Sequence, residues 1–185
     1  MLVRRRNKGM KYGWVVLLLL VAGMSPRKAD AQAEFYGQFS VSDLTNLSST
    51  DLLYGVTGGL IVDGPTWHHM VISADIQARS VRKSGESLTG AGAGPRFSFP
   101  LKKHGLTPYA EFLVGFARYN NTIYTYQPMG ATTDAQIQVN GGMAKKVSPR
   151  WDISVDFSYS QYYALGGEYN PKTFGAGVIY HFVKR

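Results

Sequence analysis

From Phe35 onward, hydrophobic and polar residues alternate with a period of two, and no long stretch repeats at helical spacing. The clearest run is Trp151 to Gln161. There Trp151, Ile153, Val155, Phe157 and Tyr159 share one parity and Asp152, Ser154, Asp156, Ser158 and Ser160 the other. Met70, Ile72, Ala74, Ile76 and Ala78 alternate in the same way with Val71, Ser73, Asp75, Gln77 and Arg79. Successive side chains of a strand point to opposite faces, so each run has one greasy and one wet side. The pattern predicts eight strands, over Phe35–Asp43, Leu52–Val62, His68–Arg82, Leu88–Phe99, Thr107–Tyr119, Thr133–Lys146, Trp151–Tyr162 and Thr173–Phe182.

The connections alternate too. Asp63-Gly64-Pro65-Thr66-Trp67, Pro100–Leu106 and Val147-Ser148-Pro149-Arg150 are tight, turn-forming links. Leu44–Asp51, Asn120–Thr132 and Tyr163–Lys172 are longer and rich in Asn, Ser, Thr, Gly and Tyr, with a short link at Lys83–Ser87. Short turns at one end and longer loops at the other fit the periplasmic and extracellular ends of an outer-membrane barrel. An even strand count places both chain ends on the turn side.

The first residues follow a different rule. Arg4, Arg5, Arg6, Lys8 and Lys11 precede a short apolar core from Trp14 to Ala22, then Ser25, Pro26 and the small residues Ala29, Ala31 and Ala33. That order is a secretory signal peptide, and a core of roughly nine residues is short of the ~20 that a membrane-crossing helix needs. The chain divides into a leader over 1–33 and one domain over 34–185, cut after Ala31 or Ala33. Of the 20 basic and 12 acidic residues the leader holds seven and one, which leaves 13 bases against 11 acids. A nearly balanced mature chain gives no electrostatic ground for nucleic-acid binding. Cysteine is absent, so packing and backbone pairing alone must close the domain, without disulfide or thiolate metal site.

Alternation does not say which face is inside. A soluble lipocalin-like carrier would turn the apolar face inward, whereas hydrocarbon demands the polar face inward, because a charge on the lipid side costs several kcal/mol. Three features favour polar-in. Gly55, Gly59, Gly90, Gly92, Gly94, Gly115, Gly142, Gly175 and Gly177 share the wet parity, as a narrow lumen requires. Phe35, Phe99, Trp151, Tyr180 and Phe182 gather at the turn end of the greasy face, with Phe116 and Tyr159 toward the loop end, matching interfacial girdles. A closed barrel also leaves no unpaired edge in lipid.

With these elements in place, the mature chain resembles the small outer-membrane β-barrel family of OmpA/OmpX-like eight-stranded barrels. Leu106-Thr107-Pro108-Tyr109-Ala110-Glu111-Phe112-Leu113-Val114-Gly115 is similar to that family's fifth strand. Phe174-Gly175-Ala176-Gly177-Val178-Ile179-Tyr180-His181-Phe182 is similar to its terminal strand, in which Gly177, Tyr180 and Phe182 match the signal for the barrel-insertion machinery. Val183-Lys184-Arg185 follow where the family pattern ends at the aromatic residue, and no peptidoglycan-binding domain follows. The resemblance implies an all-β, eight-stranded antiparallel up-and-down transmembrane barrel in the outer membrane of a Gram-negative-type bacterium. It also implies contact with membrane lipids and lipopolysaccharide, and loops offered to an extracellular ligand.

Catalytic chemistry is sparse. His68 and His69 are adjacent, so on a strand they point apart and cannot chelate one ion; His104 sits in a basic turn. A lipid hydrolase needs a Ser with a His in reach and a carboxylate behind it, and no His-x-Ser pair occurs on any predicted strand. The expectation is a structural or surface-interaction barrel without cofactor, metal or catalysis; the alternatives are a narrow gated pore, a lipid-modifying enzyme and the carrier. Asp75, Arg96 and Glu111 fall on three consecutive strands at similar height on the wet face. Arg96 is expected between the two acids as a lumen ion-pair cluster, with room left by Gly55 and Gly94. Tyr119, Tyr124, Tyr126, Tyr162 and Tyr163 gather at the loop end, where an outer girdle is the plain expectation. Mass spectrometry of membrane-extracted protein should find the mature end at Gln32 or Glu34; an intact Met1–Lys28 segment would contradict the leader.

Overall fold

The structure is a computed structural model, and it describes residues 32–44, 52–83, 85–101, 103–121, 132–164 and 167–182. Nine strands run through these residues: β1 (Ala33–Asp43), β2 (Leu52–Trp67), β3 (Met70–Lys83), β4 (Glu86–Ser98), β5 (Leu106–Asn121), β6 (Thr132–Lys146), β7 (Trp151–Ala164), β8 (Gly167–Tyr169) and β9 (Lys172–His181). Eight of them pair antiparallel with their neighbours, and the ring closes where β9 joins both β7 and β1. β1 starts at Ala33. The rest of the expected leader lies outside the described residues.

The register fixes the shape of the ring. A path across paired residues that starts at Gln32, the residue before β1, passes Asp63, Ser73, Arg96, Glu111, Asn140, Ser158 and Thr173, and returns to β1 at Ser42. Coming back ten residues further along the same strand means that the strands tilt, by roughly 35–45° in closed barrels of this kind. Every residue on that path faces the lumen, because paired residues share a face.

Burial settles the orientation of the faces. On β7, Val155 and Phe157 are 47% and 52% exposed, while Ser158 and Ser160, of the opposite parity, are fully buried. On β3, Ser73, Asp75, Gln77 and Arg79 are buried and Ile76 is exposed. The outward surface carries Phe39, Val56, Phe112, Val114, Ile137, Val139, Ile153 and Phe174, a greasy band that only hydrocarbon can cover without penalty. A carrier with a dry interior would have the opposite sidedness. All nine glycines of the wet parity lie on lumen positions of this register.

Three departures from the sequence pattern have local causes. β2 runs on to Trp67 instead of ending at Val62, because an irregularity between Asp63 and Thr66 lets Pro65, which has no N–H, sit beside β3 without leaving a ladder position empty. The reversal then falls on His68 and His69, with His68 in the left-handed region at φ 56°. The expected loop between Tyr163 and Lys172 contains the three-residue β8, paired back onto the end of β7.

At the turn end the outward aromatics form one cluster across the closing strands. Phe35 on β1 meets Phe182 edge-on at 5.3 Å, Phe182 meets Tyr180 at 5.2 Å, and Tyr180 meets Trp151 on β7 at 4.8 Å. Val155→Arg places a charge on the lipid side near mid-strand and should destabilise the barrel by about 2–4 kcal/mol. A urea titration of folding into phospholipid vesicles, with Val155→Leu as control, measures this, and an unchanged midpoint for the Arg variant would contradict the assigned sidedness.

Candidate functional site

The polar chemistry of the molecule is gathered in the lumen, because that is the face the alternation leaves away from lipid. At the turn end, His181 on β9 stands between two carboxylates. Its Nδ1 lies 2.8 Å from Glu34 Oε1 on β1 and its Nε2 lies 3.1 Å from Asp152 Oδ2 on β7. The doubly protonated ring satisfies both contacts with an N–H each. The set spans all three strands of the closing seam. Since the carboxylates sit on opposite edges of the ring they do not converge on one point, and among the described residues no group of such side chains is placed to hold a metal ion.

One level higher are the three residues singled out from the sequence. Asp75, Arg96 and Glu111 are all buried in the lumen. Arg96 and Glu111 are register partners and form an ion pair at 2.9 Å through Nη1 and Oε1. Arg96 Nε donates to Ser98 Oγ at 3.3 Å, and its guanidinium lies 3.7 Å from the centre of the Tyr109 ring, a stacked cation–π contact. Glu111 Oε2 accepts from Asn140 Nδ2 at 2.7 Å, so both carboxylate oxygens are used. Asp75 is not the second arm of a clamp on Arg96. It lies opposite Gly94, and both its oxygens are within 3.3 Å of the Tyr36 hydroxyl, which donates to them. Tyr36 reaches this position because it packs flat over Gly59, where a Cβ would collide with the ring. Tyr109 packs over Gly142 in the same way. Gly55 is opposite Val81, toward the loop end, and makes no room for Arg96.

From this level a chain of amides carries the network across the lumen. Gln77 donates to the Tyr36 hydroxyl at 3.0 Å, Gln138 donates to Gln77 and to Asn140 at 2.7 Å each, and Gln38 and Tyr109 donate to Asp156. Above them is Arg79, which the sequence pattern placed on the wet face without assigning it a role. It donates to Thr57, Thr173, Ser158 and Gln77 at 2.9–3.4 Å, and among the described residues no carboxylate lies within ion-pair distance of it. Pairs of hydroxyls, Ser40 with Thr57 and Ser42 with Thr173, complete this tier at 2.7 and 2.6 Å.

Toward the loop end the lumen is mostly apolar, with the buried Glu86 accepting a hydrogen bond from the Tyr119 hydroxyl at 3.3 Å. Leu44, Leu53, Val81, Leu88, Ala117, Tyr119 and Tyr162 form a buried cluster with Tyr169 packed against it. Tyr169 on β8 stacks on Tyr162 at 5.5 Å and on Tyr119 at 6.1 Å. Tyr119 and Tyr162 therefore point inward and do not belong to the outer girdle expected from the sequence; Tyr124 and Tyr126 lie outside the described residues. The parity that made Ser158 and Ser160 lumen residues also makes Tyr162 one, and this was the signal available. Between the apolar tier and the amides is a cavity of about 20 Å³ lined by Gln77, Arg79, Gly90, Gly92, Gln136 and Gln138. That is room for a water molecule, not for an organic ligand.

Of the expected insertion signal, Tyr180 and Phe182 face outward in the aromatic cluster, whereas Gly177 lies on the lumen side where β9 approaches β1 so closely that a Cβ would meet the backbone of Gly37 and Gln38. His68, His69 and His104 are exposed at the turns. Among the described residues no histidine is hydrogen-bonded to a serine.

The sequence matches the model of the family described as outer membrane protein beta-barrel domain over residues 14–182. It has no match among curated proteins. Among solved structures, the fold is similar to that of Neisserial surface protein A, at 13% identity and a TM-score of 0.56, covering 83% of this chain and 98% of that one. It is also similar to Ail, the attachment invasion locus protein of Yersinia pestis, at 11% identity and a TM-score of 0.51, covering 82% of this chain and 97% of that one.

Removing Arg96 would strand Glu111 in the lumen. Arg96→Ala should cost about 3–5 kcal/mol, the range for breaking a buried pair. Adding Glu111→Gln should return most of that loss with Asp75 left untouched, since Tyr36 holds Asp75. Urea titrations in vesicles test both, and a double variant no better than the single one would contradict the pairing.

Proposed function

The chain belongs to the outer membrane protein beta-barrel domain family and is an outer-membrane protein; from that premise we propose that it is a structural or surface-interaction barrel whose lumen neither conducts nor catalyses. The observation that carries this reading is the continuity of the lumen filling. Charged, amide, hydroxyl and apolar tiers follow one another from Glu34 and His181 to Tyr119 and Tyr162. Eight strands enclose an interior just wide enough for side chains, and the cavity beside Gln77, Arg79 and Gln138 is of the order of one water molecule. An ion would have to displace both a charge-assisted network and a stacked aromatic cap.

The work is then done outside the lumen. The longer connections, at 44–51 and 120–132, are rich in Ser, Thr, Asn, Gln and Tyr, residues suited to adaptable contacts with a protein or glycan. Two proteins of the same fold are named for a surface location and for attachment, which agrees with this role. Bilayer lipids and lipopolysaccharide are the permanent partners, and the insertion machinery is a transient one, engaged through Gly177, Tyr180 and Phe182. The reading needs no cofactor and no nucleic acid. Among the described residues a hydrolytic role lacks a nucleophile–base pair: His181, in the lumen, is committed to Glu34 and Asp152 at the end away from the outer leaflet.

Purified barrel in planar bilayers should show no discrete conductance steps at physiological salt. Steady single-channel currents from the wild-type protein would replace this reading with the pore. Currents that appear only when Tyr119 and Tyr162 are both changed to Ala would agree with the cap as the outer seal.

A further inference from the structure

The outward face of β3, β4 and β5 changes character abruptly at the loop end. Two rows of paired residues there are polar and cationic: Arg82 lies beside Tyr54 and Ser87, and Arg118 lies between Thr89 and Thr133, with Ser80 next to Thr89 at 3.4 Å. The next row toward the membrane centre is Ala78, Ala91, Phe116 and Ala135, and the one after it Ile76, Ala93, Val114 and Ile137. Hydroxyls and guanidinium groups thus end where an unbroken apolar surface begins, the level at which lipid headgroups give way to acyl chains.

The two arginines are exposed, and among the described residues neither has a carboxylate within ion-pair distance. On the same rim Lys172 has an acid, Asp43, as its register partner across the closing strands, whereas the register partners of Arg82 and Arg118 are uncharged. Arg82 and Arg118 are two strands and one outward row apart, about 10 Å by about 7 Å from strand geometry. Two flexible side chains span that distance to one phosphate, and guanidinium forks bind phosphate oxygens in bidentate fashion. Below them the small side chains of Ala78, Ala91 and Ala93 leave a shallow trough beside Phe116.

We propose that this face of β3–β5 binds the phosphorylated headgroup of an outer-leaflet glycolipid, with Arg82 and Arg118 on the phosphate and an acyl chain along the alanine trough. The position favours a lipid over a soluble anion, because the cations sit on the outer wall directly above the apolar band and not at the mouth of the lumen. The site deepens the surface reading above by giving its lipid a binding place on the barrel wall, and it rests on that reading only for the loop end facing outward; it does not depend on whether the lumen conducts.

The test uses the folded barrel in phosphatidylcholine vesicles and reads the temperature at which its gel mobility changes from folded to unfolded. Bisphosphorylated lipid A should raise that temperature for the wild type and for R82K/R118K, whereas the increment should be lost in R82Q/R118Q and kept in K145Q/R150Q, which alters the turn end. Dephosphorylated lipid A and inorganic phosphate should have no effect. No increment in the wild type, an increment kept in R82Q/R118Q, or an equal one from dephosphorylated lipid would overturn the site, and reproduction by inorganic phosphate would make it an anion site without lipid. Loss in K145Q/R150Q alone would instead put the lipid at the turn end, overturning the outward orientation along with the site. The Lys variant also serves as the folding control, since it keeps both charges.

Discussion

Everything else in this molecule depends on closure of the backbone ladder. In hydrocarbon an unpaired N–H or C=O has no water to turn to, so the first and last long strands must find each other. β1 and β9 do so from Glu34–His181 to Asp43–Lys172. Closure at this register forces the tilt, the tilt sets the radius, and the radius decides how much side chain the interior holds. The lumen contacts around the seam reinforce the join. His181 links β9 to β1 and β7, Gln38 on β1 reaches Ser154 and Asp156 on β7, and the outward aromatics bridge the same three strands.

A narrow lumen sets strict terms for its charges. Glu111 meets them with Arg96 and Asn140, Asp75 with Tyr36, and Asp156 with Gln38 and Tyr109. Arg79 shows another solution: four neutral acceptors surround one guanidinium, so its donors are satisfied although no acid touches it. The cost of burying that cation is offset by hydrogen bonds and by the longer-range field of the acids below. Such a network is stiff, because each side chain holds the next.

The period-two pattern made the fold legible in the sequence. Val155 and Ser154 could be given opposite faces before any coordinates, since their parity admits no compromise in a strand. Pairing details were less accessible. The extension of β2 through Pro65 depends on a local irregularity that parity does not encode, and β8 is too short to carry a periodic signal. Tyr119 and Tyr162 were misplaced for a different reason: tyrosine suits both a membrane interface and a packed interior, and the choice fell to residue type when the lumen parity already decided it. Leu53, Val81 and Leu88 carry the same message, apolar residues on the wet face marking an apolar tier. For the charged cluster the sequence supplied the members, Asp75, Arg96 and Glu111, but not the contacts. Which acid Arg96 meets is set by Tyr36 and Tyr109, whose positions follow from Gly59 and Gly142 opposite them.

The central claim is that the greasy face meets lipid and the polar face encloses the lumen. Tryptophan fluorescence in vesicles of lipids brominated on the acyl chains tests it most directly, because such lipids quench only side chains they touch. In the chain from Ala33 onward, which lacks Trp14, with Trp67 and Trp151 replaced by Phe, a single tryptophan in place of Phe112, on the outward side of β5, should be strongly quenched. One in place of Tyr109, on the lumen side of the same strand, should be nearly unaffected. Quenching at position 109 with protection at position 112 would contradict the account.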